Sequence, residues 1–150
     1  MSSGRRGARR LWIASSLLAP VAMIAAGIAI AGDQAASIAQ AEKASKSWLG
    51  LIDNGDYRQS WINASSFFKD RVPMDEWEQQ VGGVRDPLGA LVSRKLKDAH
   101  YTTTLPGAPD GEYVVLEYNT SFAHKKSAIE TVTPMLDKDG DWRVSGYFIK

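Results

Sequence analysis

Apolar side chains recur at helical spacing in the first half of the chain and at alternate positions in the second. Ala41, Ala44, Trp48 and Leu51 or Ile52 form one stripe, with Lys43 and Lys46 off it and Glu42 placed four residues before Lys46. Asn54-Gly55 suits a helix stop, and Asp56 suits the N-cap of a second helix. Tyr57, Trp61, Ala64 and Phe68 give that second helix one face. A third is expected from Pro73, with Asp75 and Glu76 complementing its dipole. Met74, Trp77, Val81 and Val84 form its stripe, and Gly82-Gly83 weakens its end.

After Gly89 the period becomes two. Val92, Arg94 and Leu96 share one side of a strand, and Ala99, Tyr101, Thr103 and Leu105 share a side in the opposite phase. A bulge near Lys97-Asp98 reconciles the halves. Val114, Leu116, Tyr118, Thr120 and Phe122 alternate in a second strand; Ile129, Thr131, Thr133 and Met135 suit a third. Asp139-Gly140 tips a hairpin into a last strand, Trp142 to Ile149. There Val144 and Phe148 fall on one side, Tyr147 and Ile149 on the other, so the outer sheet face is expected to be covered too, by a second copy in a homodimer. The pattern predicts an α+β domain, with N-terminal helices packed on a curved four-stranded antiparallel sheet.

The N-terminus changes this picture. Arg5, Arg6, Arg9 and Arg10 precede an apolar run from Leu11 to Ala31, the order of a secretory leader. Ala29-Ile30-Ala31 offers a small-x-small motif for a cut before Gly32, giving residues 1–31 as leader and 32–150 as one domain. The rival reading is an uncleaved anchor, since roughly 20 apolar residues are about enough to span a bilayer. Either way the domain is expected in the periplasm or outside the cell, or held at the inner membrane by residues 11–31. Four of the 18 Lys and Arg and none of the 17 Asp and Glu lie in the leader, which leaves 14 against 17, a net of −3. That balance gives no footprint for nucleic acid. The absence of cysteine excludes a lipid-modified cysteine, disulfides, a thiol nucleophile and thiolate metal ligands.

The segment Ala41 to Lys150 carries "RDPLG", "LPGAPDGEYVV" and "GYFIK". In these words it resembles the bacterial domain-of-unknown-function family 4019. The resemblance implies a nuclear-transport-factor-2-like, or cystatin-like, cone in which a curved sheet wraps around helices. It implies no established activity and supplies no catalytic residue.

Among candidate site residues, Arg94 stands first. If Val92 and Leu96 point into the cone, so does Arg94, and Glu130, mid-strand among apolar neighbours, is its expected partner. The pair reads as an anion-holding site or as a structural ion pair. Arg85 and Asp86 flank Pro87-Leu88-Gly89; Pro87 should hold Asp86 extended, and Gly89 offers a positive-φ position. Tyr118, with Asp98 and Tyr101, would serve a proton-shuttling isomerase. Arg94, Glu130, Tyr118 and Arg85 are thus the candidate binding residues. His100 and His124 lack metal-ligand spacing, so no metal and no cofactor is expected. The favoured reading is a non-catalytic envelope domain that binds a small molecule or a protein. The alternative is a small cofactor-independent enzyme with an isomerase- or hydrolase-like pocket.

Overall fold

The computed structural model describes residues 24–150. The arginine cluster and most of the apolar run lie outside the described residues. Four helices come first: α1 (Ile24–Asp53), α2 (Tyr57–Ile62), α3 (Ser66–Arg71) and α4 (Met74–Arg85). A single 3-10 turn, Asp86–Leu88, leads into β1 (Leu91–Thr102), β2 (Tyr113–Phe122), β3 (Lys125–Leu136) and β4 (Trp142–Ile149). The strands form one antiparallel sheet in the order β1-β2-β3-β4, with the helices on one face. Among the described residues, no helix is long and apolar enough to cross a membrane.

Alanine-rich sequence favours α1 along its length. Its packed part begins at Ile38, half-buried against the core, and buries Ala41, Ser45, Trp48, Leu49 and Ile52; residues 30–36 are exposed. The Glu42–Lys46 pair forms at 2.7 Å. The helix stops where expected: Gly55 adopts φ +77°, and the Asp56 N–H donates to the Leu51 carbonyl at 2.8 Å.

Three expectations for the helical half need correction. The single helix expected to carry Tyr57 through Phe68 is two. Ser65 interrupts it, its side chain accepting from the Phe68 N–H at 3.2 Å while its own N–H donates to the Val144 carbonyl at 2.9 Å. A cap and a sheet contact outweigh one continued turn. Asp56 sits at the N-cap of α2, but its side chain makes no capping bond. In α4, Val84 is 52% exposed and the buried positions are Trp77, Val81 and Arg85.

Asp86 is not extended. It takes φ −59° and ψ −43° in spite of Pro87. Its carboxylate accepts from the Tyr57 hydroxyl, and its carbonyl accepts from the Gly89 N–H at 3.2 Å, which together offset the pre-proline preference. Burial first, then that bond to Asp86, pushes the Tyr57 hydroxyl up to about 12. Gly89 does adopt φ +75°, and a Cβ there would lie 2.6 Å from the His124 ring, so both conformation and space require glycine.

In the sheet, the expected irregularity in β1 is present: the pairing slips between Leu96 and Asp98. Leu96 opposite Tyr118, Ala99 opposite Leu116 and Tyr101 opposite Val114 therefore share the helix-facing side. A second slip between Leu91 and Ser93 was not expected; Val92 falls at it and is 66% exposed rather than inside. In β2 the even positions from Val114 to Phe122 are buried as expected. In β3 the helix-facing set is Ala128, Glu130, Val132 and Pro134, not the odd positions.

The last strand also departs from strict alternation. Thr133 pairs with Gly146 but Pro134 with Val144, so Ser145 is an extra residue. Pro134 has no N–H for the ladder, and the Ser145 hydroxyl donates instead to the Thr133 carbonyl at 2.7 Å. The bulge brings Val144, opposite Pro134, and Tyr147, opposite Val132, to the same inner face. Phe148 alone of the apolar residues after Val144 points outward, 60% exposed.

Candidate functional site

Six polar side chains from six elements meet inside the helix–sheet sandwich. Arg94 on β1 reaches across β2 to Glu130 on β3, donating from Nε at 2.6 Å and from Nη2 at 3.1 Å. Its outer nitrogens also grip Asp53 at the end of α1, at 2.7 and 2.9 Å. Asp53 is shared with Arg85, whose Nη2 lies 3.3 Å away. Glu130, with no exposed surface, accepts further bonds from the Thr120 hydroxyl at 2.6 Å and the Tyr147 hydroxyl. Arg85 donates to the Gly89 carbonyl, and its guanidinium lies 4.4 Å from the centre of the Phe122 ring.

Two guanidiniums thus face two carboxylates, and the cluster is neutral. Burial alone would lower the Arg94 pKa, but its bonds to Asp53 and Glu130 more than offset this, and it is held above the ordinary arginine value. Burial, then the charge of Glu130 and the bond to it, pushes the Tyr147 hydroxyl far up, so it stays a proton donor. Bidentate contacts of this kind fix side chains in place, which gives the cluster a structural action: it ties the C-terminus of α1 to β1, β3 and β4.

The four candidate residues are not all brought together. Arg94, Arg85 and Glu130 belong to the cluster. Tyr118 faces α1, and its hydroxyl is buried with no hydrogen-bond partner among the described residues, as are Ser45 Oγ and Arg85 Nε. Burial, then the carboxylate of Glu42, raises the Tyr118 hydroxyl to about 12. The isomerase set is dispersed: Asp98 pairs with Glu117 on the outer face, while the Tyr101 hydroxyl bonds Glu112 at 2.9 Å. His100 and His124 are both exposed.

Sequence reasoning missed Asp53, Tyr147 and Thr120. One signal for Asp53 was available: a carboxylate in the last turn of a helix opposes the dipole and needs a cation nearby. Tyr147 was hidden by the β4 bulge.

A different concavity lies between α1, the α2–α3 junction and the β3–β4 hairpin. It is an open groove of about 1070 Å³ whose lining includes Lys43, Trp48, Ile62, Lys69, Lys138 and Trp142. The hairpin wall is docked by Asp137, which accepts from the Ser66 N–H at 2.8 Å, the Ser66 hydroxyl at 2.6 Å and the Lys138 N–H at 2.9 Å. Burial acts to raise the Asp137 pKa, but the Ser66 bonds, the Lys138 N–H and the Arg143 charge prevail, and it sits below the usual carboxylate value.

A depressed carboxyl contributes stability above its unfolded pKa and loses it as pH falls through the lower folded value. Asp137→Asn is therefore expected to cost about 1–2 kcal/mol at pH 7 in urea unfolding. The gap from the parent should narrow below about pH 4, where the unfolded carboxyl protonates. A gap that is constant between pH 7 and pH 3 would show that the charge of Asp137 plays no part.

The family model described as "Protein of unknown function (DUF4019)" matches residues 44–147. No match is found among curated proteins. The matched span begins in the packed part of α1 and ends at Tyr147, so it takes in the whole cluster and the groove lining except Gln40 and Lys43. The chain therefore belongs to the DUF4019 family of proteins of unknown function.

Proposed function

We propose that this is a non-catalytic binding domain working on the outer side of the bacterial inner membrane, with a nuclear-transport-factor-2-like cone as its scaffold. The observation that carries the non-catalytic reading is that three of the four charged groups in the interior cluster are saturated, Arg85 being the one with a buried nitrogen, Nε, that has no partner among the described residues. Arg94, Asp53 and Glu130 spend their polar atoms on one another, on Arg85 and on two hydroxyls. A pocket that held an anion or moved a proton would leave such a group open to its substrate. The isomerase alternative draws no support from the placement of Asp98, on the opposite face of the sheet from Tyr118.

The binding surface in this reading is the groove beside the hairpin, which combines aromatic and aliphatic floor with three lysines. The ligand is a small molecule or a segment of an envelope protein. The outer sheet face, with Phe148 exposed, is the surface for a second copy. Export is supported by the basic cluster and apolar run at the N-terminus.

Native mass spectrometry of the protein recovered from its own cell envelope tests this. The expected spectrum shows added mass from a ligand or partner, and Ile62→Glu, exposed on the groove wall, removes it without loss of melting temperature. A ligand-free monomer, or a complex indifferent to Ile62→Glu, would count against the groove.

A further inference from the structure

Export leaves open whether the leader is removed, and α1 bears on that question. Among the described residues, the helix runs without interruption from Ile24 to Asp53. The small-x-small motif Ala29-Ile30-Ala31 and the bond to Gly32 therefore lie inside it. A peptidase must draw the bond it cuts into its cleft in extended form, and exposed irregular backbone is the usual substrate. Here the motif is flanked by Ala25, Ala26, Ala35 and Ala36, the residue type with the highest helix propensity.

Length points the same way. The apolar core of a secretory leader is about 7–15 residues, whereas a bilayer needs about 20. Leu11 to Ala31 is of the second size, and its only proline, Pro20, is a residue that membrane helices tolerate. Polar markers bound the run at both ends: Arg9 and Arg10 before it, with Trp12 at its edge, and Asp33-Gln34 after it. Beyond it, residues 32–40 of α1 are exposed or half-buried, and the first fully buried side chain is Ala41. Core contact starts at Ile38, so residues 32–37 form a short surface turn and a half that suits a spacer of roughly 9 Å between a bilayer and the folded body.

We propose that Leu11–Ala31 is retained as a single lipid-spanning segment and that α1 is the rigid stalk on which the domain stands outside the bilayer. This rests on the export reading above, and the test separates the two. The full chain is expressed in a bacterium, fractionated with an alkaline carbonate wash, and weighed intact. Protease is then applied to spheroplasts. The expected result is a full-length chain in the washed membrane, degraded by external protease, with Ala31→Leu, which abolishes the small-x-small motif, identical in mass shift and location. A chain beginning at Gly32 in the wash, lengthened by Ala31→Leu, would overturn the anchor and leave export standing. A full-length chain protected from external protease would overturn both.

Discussion

Arg94→Ala is expected to destabilise the domain by about 3–5 kcal/mol, because it strands a buried carboxylate. The two acidic partners of Arg94 do not suffer equally. Asp53 keeps Arg85 and has a side chain 15% exposed, so water and one cation remain to it. Glu130 has no exposed surface and keeps only the hydroxyls of Thr120 and Tyr147. Two neutral donors do not compensate a full charge in that environment, so most of the loss comes from Glu130. For a domain of this size the melting temperature should fall by roughly 10–20 °C in calorimetry.

Two controls give the result its meaning. The deficit should narrow as pH falls, since protonating the stranded carboxyl removes the buried charge. Combining Arg94→Met with Glu130→Gln should recover at least about 1 kcal/mol of the single variant's loss, because a neutral amide can still accept from Tyr147 and Thr120. A single variant within about 1 kcal/mol of the parent would show that the ion pair does not hold the fold together. If that stable variant had also lost a bound ligand, Arg94 would be a binding residue.

How much of this was legible in the sequence depends on the kind of signal. Composition and period carried the α+β class, the order of elements and the irregularity at Lys97, because a change of phase among apolar residues has one local cause. The approach of Arg94 to Glu130 could be inferred from inward parity and the need of a buried charge for a partner. Asp53 could not be found that way: it arrives from a helix 41 residues distant, and its partners depend on where α1 crosses the sheet. Tyr147 was misplaced because strict alternation was assumed past Pro134, a residue whose missing N–H is itself a signal of a bulge. Ser65 was read as helix interior; only its bond to the Val144 carbonyl reveals that the sheet decides where that helix breaks. Local chemistry was therefore readable, whereas long-range partners waited on topology.

Trp48→Ala should be at least as damaging as the loss of Arg94, for a different reason. The indole is 4% exposed and joins the two layers. Its ring meets Tyr147 of the sheet edge-on at 5.3 Å between centroids, and Trp77 of α4 at 6.0 Å. Its Nε1–H donates to the Ser60 carbonyl at 2.8 Å, while Trp77 donates to the Ser60 hydroxyl at 2.9 Å. Truncation removes one of the two indoles at this junction, at about 3–5 kcal/mol for the cavity, and leaves a buried carbonyl unpaired for about 1–3 more. The two are not additive, and about 4–6 kcal/mol is expected, which is a large share of the roughly 5–15 kcal/mol that holds a domain folded. Should the variant fail to fold, Trp48→Phe keeps most of the volume and isolates the lost donor, with an expected cost of about 2–3 kcal/mol in urea unfolding. A cost below about 1 kcal/mol for Trp48→Phe would mean that the Ser60 carbonyl finds another partner. Because Trp48 also contributes to the groove, loss of binding in its variants follows from unfolding as readily as from lost contact. Ile62→Glu, which perturbs only the exposed wall, is the substitution that separates those causes.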